Sequence, residues 1–200
     1  MKLASLVFAS LSFIAASSAV FAETPTEAVK TTTDHVLAIL NNPSYQGDAK
    51  KAERHQLIRK EINARFDWLE SARGSLGRNW SKRTPAEQEE FVKLFSEYLV
   101  NSYLEKYDMY YNNVEDISYK SEKLVDGYAS VKTVLSTKAK VDHPIEYRLD
   151  HVGGDWRVYD SVIEGVSMVK NYRDQFDAII QKSSYQELLK ELRSKSGDSK

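Results

Sequence analysis

Apolar residues recur at helical spacing through Phe91, Leu94, Phe95, Tyr98, Leu99 and Tyr103. Further along the chain they recur at every second position: Ala129, Val131, Thr133 and Leu135, then Ile145, Tyr147 and Leu149. The first period belongs to a helix with one buried stripe. The second belongs to antiparallel strands with one face on a core and one in water. The chain therefore predicts helices, then strands, then helices.

The first helix is predicted to open at Thr26 and Glu27, after Pro25, with Val29, Val36, Leu37 and Leu40 on one face. Asn41-Asn42-Pro43 stops it. Asp48 is read as the cap of a second helix running to about Phe66, with Leu57, Ile58 and Ile62 inward. A short piece from Asp67 to Leu76 follows and ends at Gly74 and Gly77. Thr84-Pro85-Ala86-Glu87 is a capping box with proline at the first helical position. It opens the aromatic helix, whose stripe runs on toward Tyr107, Tyr110 and Tyr111 and ends at Asn112-Asn113.

From about Val114 the period changes to two, with Ile117 and Tyr119 facing one way. Gly153-Gly154 predicts a hairpin turn, and the returning strand starts at Trp156 and Val158. Asp160 then falls on the apolar face and Gly165 follows, which predicts a bulge or bend. A last amphipathic region spans about Asn171 to Leu192, broken at Ser183-Ser184, and the tail from Ser194 is expected to fray. No repeat or linker interrupts the pattern. The chain reads as one α+β domain over residues 23–200: a curved antiparallel or mixed sheet covered by helices.

Residues 1–22 are different. Lys2 is followed by an apolar, small-residue stretch from Leu3 to Val20, and Val20-Phe21-Ala22 offers the small residues a signal peptidase reads. This predicts a secretory signal peptide cleaved after Ala22. The competing reading, an uncleaved anchor, has five serines in the segment and no positive stop-transfer flank against it.

Composition narrows the chemistry. Hydrophobic residues make up 42% and charged residues 28%, with a net charge of -1, so no polybasic nucleic-acid surface is indicated. Cysteine is absent, which removes disulfides, thiol nucleophiles, thiolate metal sites and a lipoprotein anchor. A cleaved signal without cysteine suits a bacterial periplasm. Twelve tyrosines are many for this length, and tyrosine suits half-wet cavities because its ring is apolar and its tip polar.

His35, His55, His143 and His151 are scattered without metal-ligand spacing. Gly74-x-x-Gly77 lacks a preceding strand and a Lys-Ser/Thr ending, so it is no phosphate loop. Asp160 and Glu164 are the candidate catalytic groups. A carboxylate near tyrosine in an apolar cavity acts as a general base in some enzymes. The alternative is a structural carboxylate that satisfies amides at the bulge or at a helix start, or that pairs with Arg157 or Arg173. Arg73, Arg78, Lys82 and Arg83 are candidates for a lipid phosphate or an acidic partner surface, or else belong to a solvated loop.

The run from Gly154 to Val169, Gly-Asp-Trp-Arg-Val-Tyr-Asp-Ser-Val-Ile-Glu-Gly-Val-Ser-Met-Val, resembles the signature of MlaC-type, or toluene-tolerance, proteins. So does its continuation, Lys170-Asn171-Tyr172-Arg173-Asp174-Gln175-Phe176. Leu76-Gly77-Arg78-Asn79-Trp80 and the Phe91-x-x-x-Phe95-x-x-x-Leu99 helix also look like that family. The likeness spans about Asp48 to Leu192, and residues 23–47 carry no family signature.

The resemblance implies a cone-shaped, nuclear-transport-factor-like fold with a deep apolar pocket for phospholipid tails. It also implies a periplasmic place in a lipid-trafficking ABC transport system that maintains outer-membrane lipid asymmetry. The implied partners are phospholipid, an inner-membrane ABC transporter with an MCE-domain protein, and an outer-membrane lipoprotein complex. A monomer without cofactor or metal is expected. The pocket walls it suggests are Phe91, Phe95, Leu99 and Tyr103 from the aromatic helix, Val131, Leu135, Tyr147 and Leu149 from strands, and Tyr172 and Phe176 from the final helix. On periodicity alone the same ten residues read as plain core, and it is the resemblance that moves them toward a cavity wall. Two other readings stand beside the carrier: a cone-fold, isomerase-like enzyme acting on a hydrophobic substrate, and a secreted interaction protein with an ordinary core.

Overall fold

The computed structural model describes residues 23–110 and 113–196, with the backbone alone for 105–110. The signal segment, Tyr111, Asn112, the last four residues and the side chains of Tyr107 and Tyr110 lie outside the described residues.

Four helices lead the chain: α1 (Pro25–Asn41), α2 (Lys51–Arg65), α3 (Trp68–Leu76) and α4 (Pro85–Tyr110). An antiparallel sheet follows: β1 (Val114–Val125), β2 (Tyr128–Thr137), β3 (Asp142–Val152), β4 (Asp155–Ile163) and β5 (Val166–Ser167). Two helices close it, α5 (Met168–Lys182) and α6 (Tyr185–Ser196). Short 3-10 turns at Pro43–Tyr45, Asp48–Lys50 and Gly77–Lys82 join helices where the sequence shows no periodicity.

Capping sets the helix starts. Thr24 and Glu27 form a reciprocal capping box at α1, so Pro25 lies inside the helix, at its first position, not before it. Thr84 and Glu87 repeat the device at α4, as the sequence predicts. Asp67 caps α3 by accepting from the Glu70 amide at 2.7 Å. Asp48 does not cap α2. It opens a 3-10 turn, and α2 starts from Lys50 with no side-chain cap. At α5, Ser167 accepts from the Lys170 amide at 3.0 Å, so the helix begins at Met168, three residues before the predicted start. α6 runs to a buried Ser196, beyond the predicted fraying point.

Gly74 sits within α3 rather than ending it. A Cβ there would lie 2.7 Å from Val169 Cγ1, so glycine allows α3 and α5 to approach closely.

The sheet is an open meander in the order β1-β2-β3-β4-β5. The β3–β4 turn has φ of 63° at Gly153 and 97° at Gly154, the left-handed pair of a type I′ hairpin. Leu149 pairs with Val158 while Arg148 pairs with Asp160, so Tyr159 is an extra residue and the predicted bulge falls beside Asp160. Further register shifts in β1 add to the bending of the sheet.

Apolar side chains gather in three clusters. The first joins α3, α4, α5 and α6 around Phe91, Phe95, Tyr172 and Phe176. The second joins α1 to the sheet through Ala28, Val29, Ala129, Val131, Leu149, Trp156 and Val158. The third lies between α1, α2 and α4, around Val36, Leu40, Ile58, Ile62, Val100 and Leu104. Phe66, at the α2–α3 corner, packs against all three.

Candidate functional site

Strand register builds the inner face of the sheet. Ala129 lies opposite Leu149, Val131 opposite Tyr147 and Thr133 opposite Ile145. Leu149 then faces Val158, Tyr147 faces Ser161 and Ile145 faces Ile163. On the other side Tyr119 faces Thr133 and Ile117 faces Leu135. The end bearing Ala129, Val131, Leu149 and Val158 is buried in the cluster shared with α1. At the other end Ile117, Leu135, Ile145 and Tyr147 are half-buried, and Ile163 is 38% exposed. This end is an apolar surface that the described side chains leave partly uncovered.

The ten predicted wall residues fall into separate groups. Phe91, Phe95, Leu99, Tyr172 and Phe176 are in the all-helical cluster, with Tyr103 packed at its edge. Their rings pack tightly. Phe91 stacks on Phe95 with centroids 5.5 Å apart, and Phe176 meets both edge-on at 5.7 and 5.4 Å. Tyr172 meets Phe95 edge-on at 5.4 Å and Tyr98 at 5.7 Å. Val131 and Leu149 lie under α1, with Tyr147 at the edge of that cluster, while Leu135 lies farther along the inner face. Sequence reasoning passed over Ile117, Ile145 and Ile163 as wall residues. Alternation placed Ile117 and Ile145 on an apolar face, but only the register shows that all three share the half-covered end.

Burial pushes the Tyr103 hydroxyl up, helped by its neighbours Tyr98 and Asp160. Burial also pushes up the Tyr172 hydroxyl, followed by its hydrogen bond with Tyr98. Neither phenol ionises near neutral pH, so the tyrosines meet the interior as neutral donors and acceptors.

Asp160 is 2% exposed and fully engaged. It accepts from Ser167 Oγ at 2.6 Å, from the Val169 amide in the first turn of α5 at 3.0 Å, and from Arg148 Nη1 at 3.2 Å. The arrangement is the structural one foreseen for a bulge carboxylate, but its basic partner is Arg148. Arg157 pairs instead with Asp155 at 3.7 Å, and Arg173 Nε donates to the Gly74 carbonyl at 2.6 Å. Glu164 is exposed, takes φ of 51° beside Gly165, and meets His143 at 2.7 Å. It closes a turn, with its amide on the Pro144 carbonyl at 3.0 Å.

The four basic candidates are engaged with the helical layer. Arg73 pairs with Glu70, and Arg78 makes a two-pronged pair with Asp177 at 2.7 and 3.1 Å. Lys82 reaches Asn79, and Arg83 lies over the Tyr185 ring at 4.5 Å. Among the described residues no histidine or carboxylate group forms a metal-binding cluster, and no helix is long and apolar enough to cross a membrane. Two clefts of about 400 and 380 Å³ open elsewhere, and none of the ten predicted wall residues lines either one.

An open antiparallel sheet with a half-covered apolar inner face, backed by a filled helical layer, defines an α+β domain of the helix-covered open-sheet class. The family model described as "MlaC protein" matches residues 30–194, and the chain belongs to that family. The resemblance carried by Gly154–Phe176 is thereby shown. The chain is similar to the toluene tolerance protein Ttg2D of Pseudomonas putida, at 25% identity over 170 residues, covering 82% of this chain and 76% of that protein. Its fold is similar to that of a phospholipid-binding protein from Ralstonia solanacearum, solved in complex with a phospholipid. That match has a TM-score of 0.72 and 26% identity, covering 86% of this chain and 96% of the other.

Proposed function

We propose that this protein binds a phospholipid by its acyl chains and shuttles it through the periplasm. The journey runs between an outer-membrane lipoprotein complex and an inner-membrane ABC transporter bearing an MCE-domain protein. The observation that carries the reading is the near full-length likeness to a protein that holds a phospholipid, joined to the half-covered apolar face of this sheet.

The physical requirement is modest. Each buried CH₂ contributes about 0.8 kcal/mol, so two tails of roughly thirty carbons in all supply about 20 kcal/mol gross before ordering costs. That needs dry, adaptable walls and neither a metal nor a cofactor. In this reading Leu135 and Tyr147 face the tails from the sheet and Tyr103 from α4, while Val131 and Leu149 belong to the end of the face that α1 covers. Phe91, Phe95, Leu99, Tyr172 and Phe176 hold the helical layer in shape behind them. The protein works as a monomer, starts at Glu23 after signal cleavage, and releases its lipid unaltered. The enzyme alternative would lean on Asp160, whose carboxylate is already taken up by three donors.

The test is native mass spectrometry and organic extraction of protein purified from the periplasmic fraction. We expect about one phospholipid per chain and an N-terminus at Glu23. A protein that is empty after mild purification and cannot be loaded with labelled phospholipid would overturn carriage. Conversion of the loaded lipid by wild type but not by Asp160→Asn would make the protein an enzyme.

A further inference from the structure

The half-covered end of the inner face is bounded by the tight β4–β5 turn. Ile163 pairs with Val166 across Glu164 and Gly165, whose φ values are 51° and 83°. Two positive φ values in a two-residue loop make the type I′ pattern, which asparagine and glycine fit well and a long side chain fits poorly. Glu164 therefore holds a strained conformation. The turn is fixed from two sides. The Glu164 amide donates to the Pro144 carbonyl at 3.0 Å, and Ser167 Oγ, just past the turn, donates to Asp160 at 2.6 Å.

The Glu164 side chain is only half engaged. His143 Nδ1 donates to Glu164 Oε1 at 2.7 Å, while Oε2 has no hydrogen-bond partner among the described residues. The side chain is 59% exposed. His143 pairs with Leu135, so it shares the inner face and sets the carboxylate at the rim of that face. Apolar groups adjoin it: Ile163 and Val166 are exposed, and half-buried Ile145 stands opposite Ile163. Other charges at this end are engaged or face away. Lys140 pairs with Glu115 at 2.6 Å, and Asp142 stands opposite Ser136 on the other face, accepting from its Oγ at 2.6 Å. A strained backbone beside a half-engaged carboxylate points to a function for the side chain.

We propose that Glu164 is a binding site for a primary ammonium, and that its ligand is the ethanolamine headgroup of the carried lipid. The inference rests on the carriage reading. A lipid whose tails lie along Leu135, Ile145 and Tyr147 has its polar end at the rim of that face, where Oε2 stands. An ammonium brings three N–H donors, so it fills the open acceptor position and offsets the carboxylate charge. His143 is a positioning residue: it holds Oε1 and thereby aims Oε2.

The same geometry sorts headgroups. A glycerol headgroup brings hydroxyl donors but no positive charge, so its lipid keeps a net negative charge beside a carboxylate. A choline headgroup brings the charge but no N–H. The site is open to water, which screens it. Exchanging a charge-assisted hydrogen bond for a neutral one at such a site changes a binding ratio by roughly three- to fivefold.

The experiment loads the purified chain from vesicles of equal parts phosphatidylethanolamine and phosphatidylglycerol with identical acyl chains, and reads the bound lipids by native mass spectrometry. Wild type is expected to favour the ethanolamine lipid by roughly three- to fivefold. With phosphatidylcholine in place of phosphatidylethanolamine the preference should be smaller. Glu164→Gln should bring the ethanolamine-to-glycerol ratio toward one. Glu164→Asn should do the same and melt no lower than wild type, because asparagine tolerates the positive φ of this turn. No other protein is present, so a preference in this assay belongs to the lipid and not to a partner's lysine. A ratio near one in wild type, or a wild-type ratio in both variants, would overturn the site. If both variants also melt well below wild type, the Glu164–His143 contact is a latch of the turn only. A chain that takes up neither lipid would sink the carriage reading and the site with it, whereas a chain that loads both equally would sink the site alone.

Discussion

On the helical side, Phe91, Phe95 and Phe176 meet ring against ring, and Phe91 and Phe95 are wholly buried. On the sheet side, Leu135, Ile145 and Tyr147 are only half-buried although each carries a large apolar group. The contrast separates two uses of hydrophobic surface that look alike in sequence. Where helices pack against helices, the central rings of the aromatic stripes interdigitate to the density of a solid. Where the bent sheet faces helices, α1 covers one end, and at the other Leu135, Ile145 and Tyr147 are only half-buried. The helical layer is therefore the more filled part, and in the proposed carrier role the sheet is the part that would take a guest.

Substitutions can break or sharpen this division. Phe95→Ala should have the largest effect on stability, a loss of about 3–5 kcal/mol, because it empties a ring-packed site that cannot collapse. Denaturant melts measure it, and chains that remain folded should still hold lipid. Loss of lipid without loss of stability would move Phe95 from the filled core to the cavity wall.

Asp160→Asn comes next. It keeps an acceptor oxygen but loses charge assistance to Ser167, the Val169 amide and Arg148, for a cost of about 1–2 kcal/mol. The melting temperature should fall while bound lipid persists. A variant as stable as wild type would show that the carboxylate does not fasten α5 to the bulge.

Thr84→Ala removes one half of the α4 capping box and should cost about 1 kcal/mol, with no change in lipid per folded chain. An altered lipid content would mean that the start of α4 bears on the site directly.

Leu135→Glu should matter least for folding, at most about 1 kcal/mol, because the side chain is only partly buried. It should nevertheless lower phospholipid occupancy sharply, since a carboxylate there would face the tails without a partner. Full occupancy in this variant would place the cavity elsewhere, and a large stability loss would make the sheet face as filled as the helical one.

Much of the architecture was legible before any coordinates. The α4 capping box, the Asp67–Leu76 helix, the Gly153-Gly154 turn and the bulge at Asp160 all rest on local chemistry: a side chain bonding a nearby amide, a glycine taking positive φ, or a period that breaks. The errors were also local. Asp48 looks like a cap but starts a 3-10 turn, and Ser167 starts α5 earlier than the apolar stripe suggests because it is the cap. The ten wall residues came from periodicity and resemblance, and neither distinguishes a ring that meets another ring from one that meets open space.

The sequence by itself determined the order of elements, the apolar faces and the family signature, since each is written in neighbours along the chain. The tertiary structure decided which apolar face was filled and which stayed half-covered. It also paired Asp160 with Arg148 and joined it to Ser167 and the Val169 amide, because strand register and helix packing alone bring those groups together.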